Sequence, residues 1–206
     1  MPLIVTKHPA ASCLLSTLRK KETSMGEFRV AASKLTTYVV LEALRECIDV
    51  KEIEIETPLE TTKGHSQEED VVLVPILRAG LSMLEPSLQL VSNASVGYIG
   101  LERNEEDAVA KSYYQKTPNV TGKNVLILDP MLATGGSALK AIEVVLRGKP
   151  RRVTLACIVA APEGVREINR IYRDVNIYTA SLDRQLNQKK YILPGLGDFG
   201  DRLFGT

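Results

Sequence analysis

The chain has 206 residues, 44% of them hydrophobic, with 26 basic against 25 acidic side chains and a formal net charge of +1. That length suits one domain, 1–206, with a substantial core, and the balanced charge excludes a global attraction to nucleic acid or to an anionic membrane. Three widely spaced cysteines (Cys13, Cys47 and Cys157) make neither a disulfide framework nor a zinc pattern; with no signal peptide and no apolar run of about 20 residues, a reducing cytoplasm is expected.

The N-terminal part reads as helical, and Ser24 with Glu27 forms the capping-box pattern of a helix running toward Cys47. Residues 50–56 alternate, with Ile53 and Ile55 on one face, and Pro58 ends what reads as an outer strand. Residues 61–70 are polar and read as a mobile connection. An apolar run at 71–76 predicts a buried strand that leads through Leu77-Arg78-Ala79-Gly80 into a helix reaching about Leu90. Residues 95–101 predict a third strand. Residues 102–118 carry mixed charges and two tyrosines, and suit a long, flexible arm over a site. A fourth strand, 125–128, is followed by a helix with Leu139, Ile142, Val145 and Leu146 at helical spacing. A fifth strand at 152–160 precedes a helix with Pro162 near its first turn, and a short sixth strand covers 176–180. Strands alternating with helices predict an α/β fold with a mostly parallel central sheet flanked by helices. Ligands then sit beyond the carboxyl ends of the strands, which gathers Arg78, Arg103, residues 129–137 and the loop after Ala160 around one crevice.

The most informative stretch joins the fourth strand to its helix. Small residues in Ala133-Thr134-Gly135-Gly136-Ser137 let backbone approach a ligand closely, and N–H groups at a helix start favour an anion. Thr134 and Ser137 add hydroxyl donors, and Asp129 at the strand end suits sugar hydroxyls, so phosphate plus ribose is the first hypothesis. An ordinary strand-to-helix turn, with glycine chosen for its geometry, is the alternative. Two familiar phosphate motifs fail on spacing. Gly122-Lys123 is followed by Asn124 and lacks the earlier glycine of a P-loop, and only six residues follow the G-x-G-x-x-G match at 195–200, too few for a βαβ unit. His8 and His65 are the only histidines, and no G-x-S-x-G elbow accompanies them, so a histidine general base is not expected.

These motifs closely resemble the uracil phosphoribosyltransferases of the type I phosphoribosyltransferase fold. The segment Asp129-Pro130-Met131-Leu132-Ala133-Thr134-Gly135-Gly136-Ser137 looks like that enzyme's variant of the phosphate motif, in which the second of two adjacent acids is replaced. Residues 75–83 (PILRAGLSM), 160–165 (AAPEGV) and 191–206 (YILPGLGDFGDRLFGT) are similar to three further signatures. The resemblance implies transfer of the phosphoribosyl group of 5-phosphoribosyl 1-diphosphate to uracil, giving UMP and diphosphate in pyrimidine salvage. It implies that residues 129–137 hold the ribose phosphate, with Arg78 and Arg103 on the diphosphate. A C-terminal base-binding loop would meet uracil through Ile192, Gly197 and Phe199, with Asp198 toward the ribose diphosphate and the N1 proton. Arg103, Asp129 and Asp198 are thereby the candidate catalytic residues, Asp198 having a turn-forming alternative. Asp201 and Arg202 either fix this loop or touch substrate.

Magnesium is implied as a mostly substrate-borne ion, with no protein residue assigned as its ligand. A homodimer or larger homo-oligomer and GTP as an effector are implied by relatives; nucleic acid and membrane are not. Three positions depart from the common pattern: Phe199 where bacterial members usually have Ala, Glu102 where a Tyr precedes the arginine, and Lys190 where a Gly precedes Tyr191. The alternative from another class is a regulator of the same fold that binds RNA, or a nucleotide sensor, with little catalysis.

Overall fold

A computed structural model of the chain describes residues 3–67, 70–103 and 110–206, with backbone alone for residues 102, 103 and 110–112. In chain order the elements are β1 (Leu3–Val5), α1 (Pro9–Arg19), α2 (Met25–Leu44), β2 (Val50–Glu56), β3 (Thr61–Gln67), β4 (Val71–Leu77), α3 (Leu81–Leu90), β5 (Ser95–Val96), β6 (Tyr98–Arg103) and β7 (Ala110–Lys116). There follow β8 (Asn124–Leu128), β9 (Met131–Leu132), α4 (Gly136–Leu146), β10 (Arg152–Ala160), α5 (Pro162–Ile171), β11 (Asn176–Leu182), β12 (Gln185–Leu186), β13 (Ile192–Leu193) and α6 (Phe199–Phe204).

Among the described residues the main sheet runs β1-β11-β10-β8-β4-β6-β7, with β5 on β4 and β9 on β10. All its pairings are parallel except β6 with β7. Unbroken apolar runs are what such strands need, because both faces are covered. Leu73, Leu126, Leu128, Ala156 and Ile158 point into one core shared with α1, α2 and α6. Val72, Val74, Val125, Ile127, Leu155 and Cys157 point into the other, shared with α4 and α5. The α/β architecture with a mostly parallel sheet is as the sequence predicts.

Helix α2 opens on the predicted capping box: Ser24 Oγ accepts the Glu27 N–H at 3.4 Å and Glu27 Oε2 accepts the Ser24 N–H at 3.0 Å. It buries Phe28, Leu35, Val39 and Val40, and ends at Leu44, before Cys47. Three elements differ from the sequence reading. The polar 61–70 segment contains β3, which pairs with β2 as an antiparallel hairpin outside the main sheet. Backbone pairing sets that ladder, the Lys63–Glu52 ion pair at 2.7 Å bridges it, and with both strands largely exposed no apolar alternation is required; Gly64 leaves room for Ile55 across it. Strand β1 is three residues long, too short to show a period, yet it extends the sheet beside β11. The arm read at 102–118 continues the sheet as the β6–β7 hairpin, and its tip, 104–109, lies outside the described residues.

The chain leaves β4 through α3 toward β6, and leaves β8 through α4 toward β10, on the opposite side. A crevice therefore opens where the carboxyl ends of β4 and β8 diverge. Gly80 packs β4 and β8 closely together behind it, where an added Cβ would lie 2.4 Å from the Leu128 carbonyl oxygen and 2.5 Å from that of Ile76.

Candidate active site

The β4–β8 crevice is a cleft of about 680 Å³. Asp129 stands at the end of β8. Its N–H still donates to the Ala156 carbonyl at 3.1 Å, and its Oδ1 accepts the Met131 N–H at 3.3 Å. Pro130 has no N–H for the ladder, so the strand breaks there. The Pro130 carbonyl accepts from both Ile158 and Val159 at 3.0 Å, and pairing resumes as β9. That break turns Asp129 toward the cleft while Pro130 and Leu132 are buried.

Beyond β9 the chain enters α4 through Gly135, which takes φ +89° at the N-cap, a left-handed conformation that side chains resist. Thr134 Oγ1 accepts the Gly136 N–H at 3.5 Å, and the first-turn N–H groups of α4 point out of the helix start. Ala133 and Ser137 line the cleft; Thr134, Gly135 and Gly136 complete the turn between them. The AAPEGV segment does not line it. It braces the turn from behind, for a Cβ on Gly164 would lie 2.5 Å from the Ala133 carbonyl oxygen. Glu163 Oε1 accepts the Leu186 N–H at 3.0 Å, and that bond, with the helix-start N–H of Glu163 itself, holds its carboxyl below the usual range.

Opposite Asp129, Arg78 follows β4 after a cis Leu77–Arg78 peptide and is exposed to the cleft, its guanidinium 5.9 Å from the Phe204 ring centroid. Arg103 ends β6; its side chain, like that of Glu102, lies outside the described residues. The third wall is the C-terminal loop. Asn187 Oδ1 accepts the N–H groups of Lys189 and Tyr191, both at 2.9 Å, folding a turn in which Lys190 takes φ +63°. A glycine would adopt that φ freely. Beyond β13 and a cis Leu193–Pro194 peptide, Gly195 takes φ +61°, and a Cβ there would lie 2.1 Å from the Ile192 carbonyl oxygen.

Ile192, Gly197, Asp198 and Phe199 all line the cleft. Asp198 caps α6 by accepting the Asp201 N–H at 2.9 Å, so its turn-forming role is present in the structure. The Phe199 ring packs edge-on to Phe28 with centroids 5.1 Å apart, 2% exposed, so the larger side chain at this position joins the core. Sequence reasoning missed Tyr113, from β7, and Lys189, both on the cleft wall. A tyrosine in a mixed-charge arm and a lysine pair beside a glycine loop carry no periodic or motif signal. Neither histidine lines the cleft; His8 instead caps α1, accepting the Ala10 N–H at 3.1 Å.

The sequence pattern of the family described as uracil phosphoribosyltransferase matches residues 5–206. A protein named uracil phosphoribosyltransferase from Fervidobacterium nodosum is 50% identical over 206 residues, covering 99% of each chain. One of the same name from Malacoplasma penetrans is 47% identical over 203 residues, covering 98% of each. The solved structure of the AQ2163 protein from Aquifex aeolicus superposes with a TM-score of 0.94 at 41% identity, over 100% of this chain and 99% of that one. A hypoxanthine-guanine phosphoribosyltransferase from Bacillus anthracis shares the fold more loosely, with TM-score 0.52 and 15% identity over 77% of this chain and 80% of that one. Agreement that runs nearly end to end in both sequence and backbone leaves one assignment: the chain belongs to the uracil phosphoribosyltransferase family.

Proposed function

We propose that this protein, a single phosphoribosyltransferase domain, joins the 5-phosphoribosyl group of 5-phospho-α-D-ribose 1-diphosphate to N1 of uracil, releasing UMP and diphosphate in pyrimidine salvage. The observation that carries the reading is one cleft shared by Asp129, the start of α4 and the loop bearing Ile192, Gly197 and Phe199. An anion-binding helix start beside a carboxylate matches a ribose 5-phosphate, and a glycine-rich wall of backbone donors and acceptors matches a planar base.

The turn from Ala133 to Ser137 takes the 5-phosphate, with Pro130, Met131 and Leu132 fixing its path, and Asp129 takes the ribose hydroxyls. Arg78 and Arg103 take the diphosphate. As the C1′–O bond breaks, negative charge grows on the departing diphosphate, and cations held there stabilise the transition state more than the ground state. The N1 lone pair of uracil then closes on C1′. Asp198, directly or through water, accepts the proton that N1 gives up. Uracil presents acceptor, donor, acceptor along its N3 edge, which backbone groups of Ile192, Gly197 and Phe199 read. Cytosine carries an amino donor in place of O4 and leaves a buried mismatch there, worth a rejection of about 10⁴–10⁵.

Magnesium fits this site as an ion carried in by the diphosphate. Among the described residues no cluster of three His, Cys, Asp or Glu is arranged to hold a metal, whereas the cleft has room for a hydrated one. Bound there, it neutralises diphosphate charge. A homodimeric or larger assembly and GTP as an effector rest on the family resemblance, and a cytoplasmic location on the few, widely spaced cysteines. Among the described residues no helix is long and apolar enough to cross a membrane.

The test is nucleotide formation by purified protein with magnesium, the ribose diphosphate donor and uracil, cytosine, hypoxanthine or orotate in parallel. UMP from uracil alone is expected. Product from another base would overturn the assignment of the C-terminal loop, and silence with every base from folded protein would overturn the enzyme reading.

A further inference from the structure

The loop that forms the base wall is held in place from behind by residues that no motif singles out. Asp183, just past the end of β11, is 5% exposed, and its Oδ2 accepts the Gly195 N–H at 2.8 Å. Arg19, the last residue of α1, donates through Nη1 to the Gly195 carbonyl at 2.8 Å, so both polar groups of Gly195 are engaged. The two side chains also pair with each other. Arg19 Nη1 donates to Asp183 Oδ2 at 2.8 Å, and Nη2 to Oδ1 at 2.5 Å. Ser181 Oγ donates to Asp183 Oδ1 at 2.7 Å and accepts from Arg19 Nη2 at 3.1 Å.

The next residue is held as well. Arg202 Nη1 donates to the Leu196 carbonyl at 2.8 Å and also to the Leu18 carbonyl, while Nη2 donates to that of Lys20 at 2.6 Å. Its guanidinium lies 4.5 Å from the centre of the Phe28 ring. Two consecutive residues, Gly195 and Leu196, are therefore tied to the last turn of α1, immediately before the cleft-lining Gly197.

We propose that Arg19 and Asp183 are positioning residues for base recognition: their ion pair holds the Gly195 peptide and so sets where the backbone of Gly197 to Phe199 meets the base. Several features favour this over a general structural role. A buried carboxylate–guanidinium pair contributes little net stability against an apolar replacement, because desolvation offsets its attraction. What it supplies is a fixed fork of charged donors and acceptors, matched here to both sides of one peptide. The pair also reaches the loop from two distant parts of the chain, α1 and the end of β11, and among the described residues its side-chain hydrogen bonds go to Gly195, to Ser181 and to each other. The inference rests on reading residues 192–199 as the base wall.

Steady-state kinetics with each substrate varied separately will test it, with circular dichroism and thermal unfolding as fold controls. Asp183→Asn keeps the shape but removes an acceptor and the charge. It is expected to raise KM for uracil by about ten- to a hundredfold, while KM for the ribose diphosphate stays within about twofold. Arg19→Lys keeps the charge but loses the fork, and is expected to show the same split to a smaller degree. It also carries the test if Asp183→Asn does not fold. A purely structural pair would lower the active fraction, and hence apparent kcat, with both KM values unchanged; that result would overturn the proposal. An equal rise in both KM values would overturn it too. A wild-type enzyme that makes no UMP would instead remove the reading on which the inference stands.

Discussion

Asp129 carries one carboxylate oxygen on the Met131 N–H, at the end of a strand whose ladder a proline interrupts. Asp129→Asn preserves an acceptor for that N–H and deletes the charge proposed to meet the ribose. KM for the ribose diphosphate is expected to rise by about ten- to a hundredfold, the scale of hydrogen bonds to charged groups. Arg103→Ala removes a charge proposed to meet the leaving diphosphate and is expected mainly to slow kcat, by about 10²–10³. Unchanged kinetics in both variants would move the site elsewhere. Asp129 could be picked out in the sequence because residues 129–137, proposed to meet phosphate and ribose, form one contiguous stretch where type and order are visible together. Arg19 and Asp183 could not, being 164 positions apart with no repeat or motif to join them.

Between α4 and α5 the spacing is set by glycine. Gly164→Ala would drive a Cβ to 2.5 Å from the Ala133 carbonyl oxygen, which is backbone and must move. Overpacking of this kind costs about 1–3 kcal/mol, and here the displaced segment is the turn proposed to hold the 5-phosphate. The variant is expected to lose thermal stability and to raise KM for the ribose diphosphate with that for uracil little changed. A stability loss with both KM values unaltered would uncouple α5 from the site. Elements with a strong local signal could be read from the sequence: the Ser24–Glu27 box does open α2, and β4 and the apolar 125–128 of β8 are central. The β2–β3 hairpin shows what the sequence hides. Thr61, Thr62, Lys63 and His65 have no periodic apolar pattern, and their strand exists through backbone pairing with β2. A two-residue element such as β9 is likewise beyond any pattern, since only the ladder with β10 defines it.

Across the whole molecule, acid should act first where a carboxylate is both buried and paired. Burial alone would push the Asp183 carboxyl up, but bonds from the Arg19 guanidinium, the Ser181 hydroxyl and the Gly195 N–H outweigh it and hold it below the ordinary value of 3.8. The folded state thus favours the ionised form. Its contribution is fully present above the unfolded value and is lost as pH falls through the lowered folded one. Thermal midpoints of the wild type and of Asp183→Asn are expected to differ near pH 7 and to converge once pH has fallen through that lowered folded value; a gap that persists in stronger acid would exclude this group as the cause. Burial likewise pushes the Cys157 thiol up to about 12, so a thiolate-directed reagent at about pH 8 should modify exposed Cys13 long before Cys157 in the native protein. Labelling of Cys157 at the Cys13 rate would show that the core opens. The pairing of β1 with β11, Leu3 beside Ile177, bears on how the protein is made. Among the described strands β1 pairs only with β11, so it has no neighbour in the sheet until Asn176–Leu182 has been made. Vectorial synthesis therefore cannot close this edge of the sheet as it proceeds: Leu3–Val5 must wait for a strand made far later in the chain.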